Sequence, residues 1–123
     1  MIKTIKIDGR DVKLKATGAT PVIFQEFFGE DLLLELNGKF LSEDTSTQST
    51  ATKTINQLCF VMNKQAEGLS FSDFNNMGIE AYMEWLDSFS FGGLVEASLD
   101  VIRVLQEDAV PAAELKKTKE SQE

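Results

Sequence analysis

Glu80, Glu84 and Asp87 recur at spacings of four and three, which would set three carboxylates on one face of a helix. Such a cluster could bind a divalent cation or run acid–base chemistry. The simpler reading is a solvated face opposite Met83 and Leu86. The chain contains no histidine, so the usual general base and the usual zinc ligand are both missing. The single cysteine, Cys59, can form no internal disulfide. Its setting, Leu58-Cys59-Phe60-Val61-Met62, predicts a buried, inert thiol. Residues 15–20, Lys-Ala-Thr-Gly-Ala-Thr, lack the glycine pair and the lysine–hydroxyl end of a phosphate-binding loop. The acids at Asp8 and at Glu30-Asp31 lack the ligand spacing of a calcium loop. The expectation is a non-enzymatic protein with no catalytic residue, no metal and no cofactor.

Recognition chemistry is better represented. There are nine Phe against one Trp and one Tyr, and Phe has no polar handle, so Phe-rich faces require dry contact. Phe24, Phe27 and Phe28 crowd one helical turn, and Trp85, Phe89 and Phe91 crowd a second region. By base rate most of these six belong to a core. The alternative is a hydrophobic groove for an amphipathic partner helix. The helices carry more large apolar groups than a thin domain encloses easily; Val22, Ile23 and Leu33, for example, lie off the main stripe of the first helix. Such a surplus commonly serves oligomerisation or partner binding. The six aromatics are therefore the candidate partner-binding residues.

Charge narrows the partners. A net charge of −8 repels DNA and RNA over long range and disfavours an anionic membrane surface. Neutral or basic proteins remain. At 123 residues and 42% hydrophobic content the chain fits one domain with a core of its own. The opening residues alternate and do not form a signal peptide, and no apolar run has the length of a membrane span. A reducing cytoplasm is the expected location.

The elements that would position these residues follow from periodicity. Residues 1–15 read as a β-hairpin about Asp8-Gly9, with Val12 and Leu14 on one face and Lys13 and Lys15 on the other. Thr20-Pro21 opens a helix, with Thr20 as its cap. That helix carries Phe24, Phe27, Phe28 and Leu32, passes Gly29 as a possible break, and stops at Asn37-Gly38. Residues 42–52 are polar, lack periodicity and read as a mobile loop. A helix is expected over about 52–66, ended by Gly68, then one turn capped by Ser72-Asp73, and a short helix over 79–86. Residues 88–93 read as a junction. The last helix, over about 94–107, is apolar on most sides apart from a stripe of Glu96, Asp100, Arg103 and Glu107, so it is expected at the centre of the core or shared between subunits. Pro111 closes the ordered region, and 111–123 reads as a disordered tail. The fold class is α+β: about four helices bundled beside an N-terminal hairpin, one domain over residues 1–110.

Four segments carry a resemblance. Residues 7–21, Ile-Asp-Gly-Arg-Asp-Val-Lys-Leu-Lys-Ala-Thr-Gly-Ala-Thr-Pro, resemble the opening of tail assembly chaperones from long-tailed (siphovirus-type) phages and prophages of Gram-positive bacteria, where a hairpin precedes a Lys-Ala-Thr-x-Ala-Thr-Pro-like segment. Phe28-Gly29-Glu30-Asp31 is similar to that family's Phe-Gly-x-Asp element. Residues 60–66 are similar to its helix ending in Met-x-Lys-Gln-Ala, and residues 84–89 to its Glu-Trp-Leu-Asp-x-Phe segment. Many relatives carry basic residues after the proline, whereas this chain has Val22-Ile23-Phe24-Gln25-Glu26-Phe27. The resemblance implies a chaperone that coats the tape measure protein, keeps it soluble and then gives way to tail-tube subunits. Implied partners are the tape measure protein, the major tail-tube protein and further copies of the chain, with no nucleic acid and no membrane. The implied location is the host bacterium's cytoplasm, with absence from the mature virion. The alternative is a structural or adaptor protein of the phage tail without chaperone activity.

Overall fold

Strands β1 (Ile2–Ile7) and β2 (Arg10–Lys15) pair antiparallel, with Ile7 opposite Arg10 and Ile5 opposite Val12. The two-residue turn has positive φ at both Asp8 (55°) and Gly9 (76°). That is the conformation whose twist matches the paired strands, and Asp-Gly tolerates it. Alternation puts Ile5, Ile7, Val12 and Leu14 on one face, and all four are buried. A lone hairpin is marginal in water, so this face must be covered. The computed structural model describes residues 2–32 and 46–122, with side chains over 2–32 and 52–107, and shows what covers it.

Four of the helices are α1 (Thr20–Phe28), α2 (Ser46–Ala66), α3 (Phe71–Asn75) and α4 (Ile79–Asp87). The fifth described helix, α5, runs Phe91–Gln122. A two-stranded hairpin followed by a helical majority makes the fold α+β, as expected. Strand β2 lies on α2 and β1 on α5, and α2 also packs against α1, α4 and α5. The central element is therefore α2, not the last helix. Leu58, Cys59, Phe60, Val61 and Met62 are all at most 1% exposed, which means that α2 is covered on every side there. Helix α5 buries one face only, through Leu94, Ala97, Val101 and Val104.

Several boundaries differ from expectation for local reasons. Helix α2 begins at Ser46, so part of the expected loop over 42–52 is helical. Its first turns are Ser, Thr and Gln, which give no hydrophobic period to read. Helix α1 ends at Phe28, and the Gly29 N–H closes it by donating to the Gln25 carbonyl at 2.7 Å. The expected stop at Asn37-Gly38 lies outside the described residues. Thr20 is not the cap of α1; Ala19 holds that position. Fully buried, the Thr20 hydroxyl instead accepts from the Thr17 N–H at 2.9 Å and donates to Gln65 Oε1 at 2.7 Å. Gln65 Nε2 returns a bond to Thr17 Oγ1 at 3.1 Å, locking α1 to α2. The cap of α3 is Ser70 rather than Ser72. Its hydroxyl accepts from the Asp73 N–H and the Asp73 carboxylate accepts from the Ser70 N–H, a reciprocal box. Helix α5 begins at Phe91, inside the expected junction, and its described range passes Pro111.

The start of α5 is fixed by the hairpin turn. Both Asp8 carboxylate oxygens accept from Ser90, one from its N–H and one from its hydroxyl, each at 2.6 Å. Ser90 Oγ in turn accepts from the Gly93 N–H at 2.9 Å. The Asp8 hydrogen bonds from Ser90, with the nearby Arg10 charge, hold its carboxyl below the usual carboxylate range. A Cβ on Gly93 would fall on the Asp8 carboxylate, so a larger residue there must displace Asp8 from Ser90.

Candidate partner-binding surface

The candidate aromatics separate into a hub and a surface residue. Phe24 is fully buried, and its ring lies 5.3 Å from that of Phe28. Phe28 meets Phe27 at 4.8 Å and Tyr82 at 4.9 Å, the latter pair edge to face. Phe60 of α2 sits among them, 5.6 Å from Phe27, 5.2 Å from Tyr82 and 5.6 Å from Trp85. Trp85 continues to Phe89 at 5.0 Å. These separations and tilts are the favoured geometry for aromatic pairs. Five of the six candidates thus form one continuous network through α1, α2 and α4. Phe24 and Trp85 are inside it, and Phe27, Phe28 and Phe89 are half-buried at its margin. Only Phe91 stands apart, 78% exposed at the first position of α5.

Polar anchors fix the hub. Trp85 Nε1–H donates to Asn63 Oδ1 at 3.0 Å, and Asn63 Nδ2 donates to the Lys13 carbonyl at 2.9 Å. One side chain of α2 therefore ties α4 to the outer edge of β2. The Arg10 guanidinium lies 4.3 Å from the centre of the Phe89 ring and donates to the Ser88 carbonyl. Its charge is thereby held against both an aromatic face and a helix C-terminus. The segments that carry the family resemblance meet in this region. Thr17 and Thr20 from the first bond Gln65 from the third; Asn63 from the third bonds Trp85 from the fourth; Phe28 from the second packs on Phe60.

Apolar surface outside the hub is extensive. Val22 on α1, Phe71 on α3, Ile79 and Met83 on α4, and Val95 and Leu99 on α5 are exposed, in addition to Phe91. Leu99 is 74% exposed. Periodicity leaves α5 either central to the core or shared between subunits, because it is apolar over much of its circumference. The missed signal is that Phe91, Val95 and Leu99 repeat every four residues, on a different line from Leu94, Val101 and Val104. A shallow groove of about 330 Å³ between α2 and α4 is lined by Leu69, Met77, Ala81 and Trp85, together with Glu84 and the Lys64–Glu67 ion pair.

The groups with catalytic potential are not assembled. Glu80, Glu84 and Asp87 are all exposed, and among the described residues no group of three or more His, Cys, Asp or Glu side chains is placed to hold a metal ion. Cys59 is buried beneath the hub, and burial pushes its thiol up to about 12, so the thiolate is not populated near neutrality. Burial likewise raises the Tyr82 phenol. What this arrangement offers chemically is apolar contact area on helices, bordered by acids.

Comparison with protein-family models, with curated proteins and with solved structures finds no match to this chain. Among the described residues no helix is long and apolar enough to cross a membrane.

Proposed function

We propose that this chain is a tail assembly chaperone of a long-tailed phage or prophage. In this reading it binds the tape measure protein, keeps it soluble and helps recruit tail-tube subunits. The observation that carries the proposal is the exposure of Phe71, Ile79, Met83, Phe91, Val95 and Leu99 on helices of an acidic chain. Isolated exposed apolar residues are ordinary, but several on three helices in one small domain fit a surface that is covered during part of its working life. A long helical client exposes apolar stripes before assembly and must be shielded without chemistry. Exposed side chains on a rigid core can do that and release the client when a better-matched subunit arrives. The net charge of −8 keeps the uncovered chaperone apart from nucleic acid. The four resembling segments support the same reading. Its place of action is the cytoplasm of the host bacterium, and the finished particle lacks it.

Co-expression tests the proposal. The tape measure protein, insoluble alone, becomes soluble and co-purifies with this chain. If it stays insoluble and unbound with excess chaperone present, the proposal fails. Detection of the chain at structural stoichiometry in finished particles would instead assign it to the tail itself.

A further inference from the structure

Helix α5 has two apolar faces and only one is covered. Leu94, Ala97, Val101 and Val104 are buried against β1 and α2. Phe91, Val95 and Leu99 follow one another at four-residue steps, and Ile102, half-buried, continues the line. At 3.6 residues per turn this second line lies roughly 135° round the helix from the first. It is far more exposed than a boundary position would be, at 78% for Phe91 and 74% for Leu99. On its outer side it is bordered by Glu96, Asp100, Arg103 and Glu107. Asp100 pairs with Arg103 at 3.2 Å and Glu107 with Lys3 at 3.3 Å, whereas Glu96 has no cation within ion-pair distance among the described residues.

The geometry points to an amphipathic α-helix of about three turns, apolar along one stripe and bordered by Lys or Arg, seated on Phe91, Val95, Leu99 and Ile102 of α5. The inference rests on the chaperone reading only for which protein supplies that helix. Steps of four, four and three match the side-chain rows of a packed helix, so the occupant is helical. The border selects its charge. A helix with basic flanks meets Glu96 directly and exchanges with the pairs at Asp100 and Glu107. A second copy of this chain brings three carboxylates to the seam with Arg103 as its one cation, already paired to Asp100, and a net charge of −8 with them, which leaves an excess of acid against acid. The favoured occupant is therefore a different, basic-flanked helix.

Fluorescence anisotropy with two labelled synthetic helical peptides of about 20 residues tests this, the pair sharing one Leu/Ile stripe. One is bordered by Lys and Arg, the other by Glu. The full chain is assayed as wild type, as the double variant Phe91→Ser/Leu99→Ser, as Glu96→Lys, and as Ile2→Ser, a change at an exposed apolar site of β1. The basic peptide binds wild type and Ile2→Ser alike, binds the double variant at least about tenfold more weakly, and loses affinity with added salt. Glu96→Lys weakens the basic peptide and strengthens the acidic one. Equal binding by wild type and the double variant overturns the inference, as does equal binding of the two peptides. A wild-type dimer that the double variant abolishes overturns it in favour of a second copy. A marked fall in the double variant's melting temperature overturns it as well, since the stripe is then covered by its own chain. If the basic peptide binds as described while the tape measure protein stays insoluble, the chaperone reading fails and this surface stands. If the double variant solubilises the tape measure protein as well as wild type does, the reverse holds.

Discussion

Asn63→Ala removes a side chain that joins β2, α2 and α4. Asn63 is 8% exposed, accepts from Trp85 Nε1 at 3.0 Å and donates to the Lys13 carbonyl at 2.9 Å. Truncation leaves both partners without a bond, and each unsatisfied group costs about 1–3 kcal/mol depending on its access to water. The Lys13 carbonyl lies on the outer edge of an exposed strand residue and can recruit water, which puts it near the lower figure. The Trp85 indole is enclosed by Phe60, Tyr82 and Phe89, which puts its N–H nearer the upper one. Together the loss comes to roughly 3 kcal/mol, a large share of the stability that a domain of this size possesses. Urea unfolding followed by fluorescence reads it directly, because Trp85 is the single tryptophan. With a urea slope of about 1.5 kcal/mol/M the midpoint falls by about 2 M. Asn63→Asp keeps the acceptor for Trp85 and loses the donor, and so falls between wild type and Asn63→Ala. A double-mutant cycle with Trp85→Phe, followed by circular dichroism, gives a coupling of about 1 kcal/mol or more. A loss under about 0.5 kcal/mol for Asn63→Ala, the level of an ordinary surface change, would refute the claim that this residue holds the hub together.

Two further outcomes concern the junction of the hairpin with α5. Gly93→Ala lowers the melting temperature by about 4 °C, although alanine is normally the better helix residue, because its Cβ displaces the Asp8 carboxylate from Ser90. Gly92→Ala, with open space around it, does not lower it, and in an Asp8→Gly background the penalty at Gly93 disappears. The Asp8 carboxyl is depressed in the folded state by its bonds from Ser90, so its contribution is complete above the unfolded carboxylate pKa of about 4 and is lost as pH falls through the lower folded value. Denaturation midpoints of wild type and Asp8→Asn therefore differ at pH 6 and converge as the solution is taken well below pH 4. A gap that stays constant across that range would contradict the role assigned to Asp8.

What the sequence disclosed and what it hid divide along the reach of the interactions. The hairpin was readable because its turn and its alternation are local: Asp8-Gly9 supplies the positive φ, and the buried Ile5, Ile7, Val12 and Leu14 are two apart on each strand. The limits of α4 were readable for the same reason. The cap on α5 was not, because its acceptor, Asp8, is 82 positions from Ser90. Thr20 resembles a cap in any local window, yet its hydroxyl serves Gln65, which is 45 positions away. Among the candidate contact residues, spacing grouped Phe91 with Trp85 and Phe89, from which it stands apart, and could not say which line of an apolar helix meets the core. Phe24 and Phe91 look equivalent in sequence; one is sealed under α2 and the other faces solvent because of where α2 and β1 lie. The four segments that resemble the chaperone family are, in this fold, mostly the residues that bond one helix to another. They read as a scaffold signature, whereas the exposed line on α5 lies outside them.

The bond between the hairpin turn and α5 makes an element synthesised earlier depend on one synthesised later. A nascent chain that has emerged only as far as Asp87 has no Ser90 to receive Asp8 and no α5 to cover β1. Strand β2 can rest on α2, but β1 stays without its cover until α5 leaves the ribosome. Closure of the hairpin face is thus a collective event, and truncation before α5 removes the cover of β1 and the partner of Asp8 along with the helix itself.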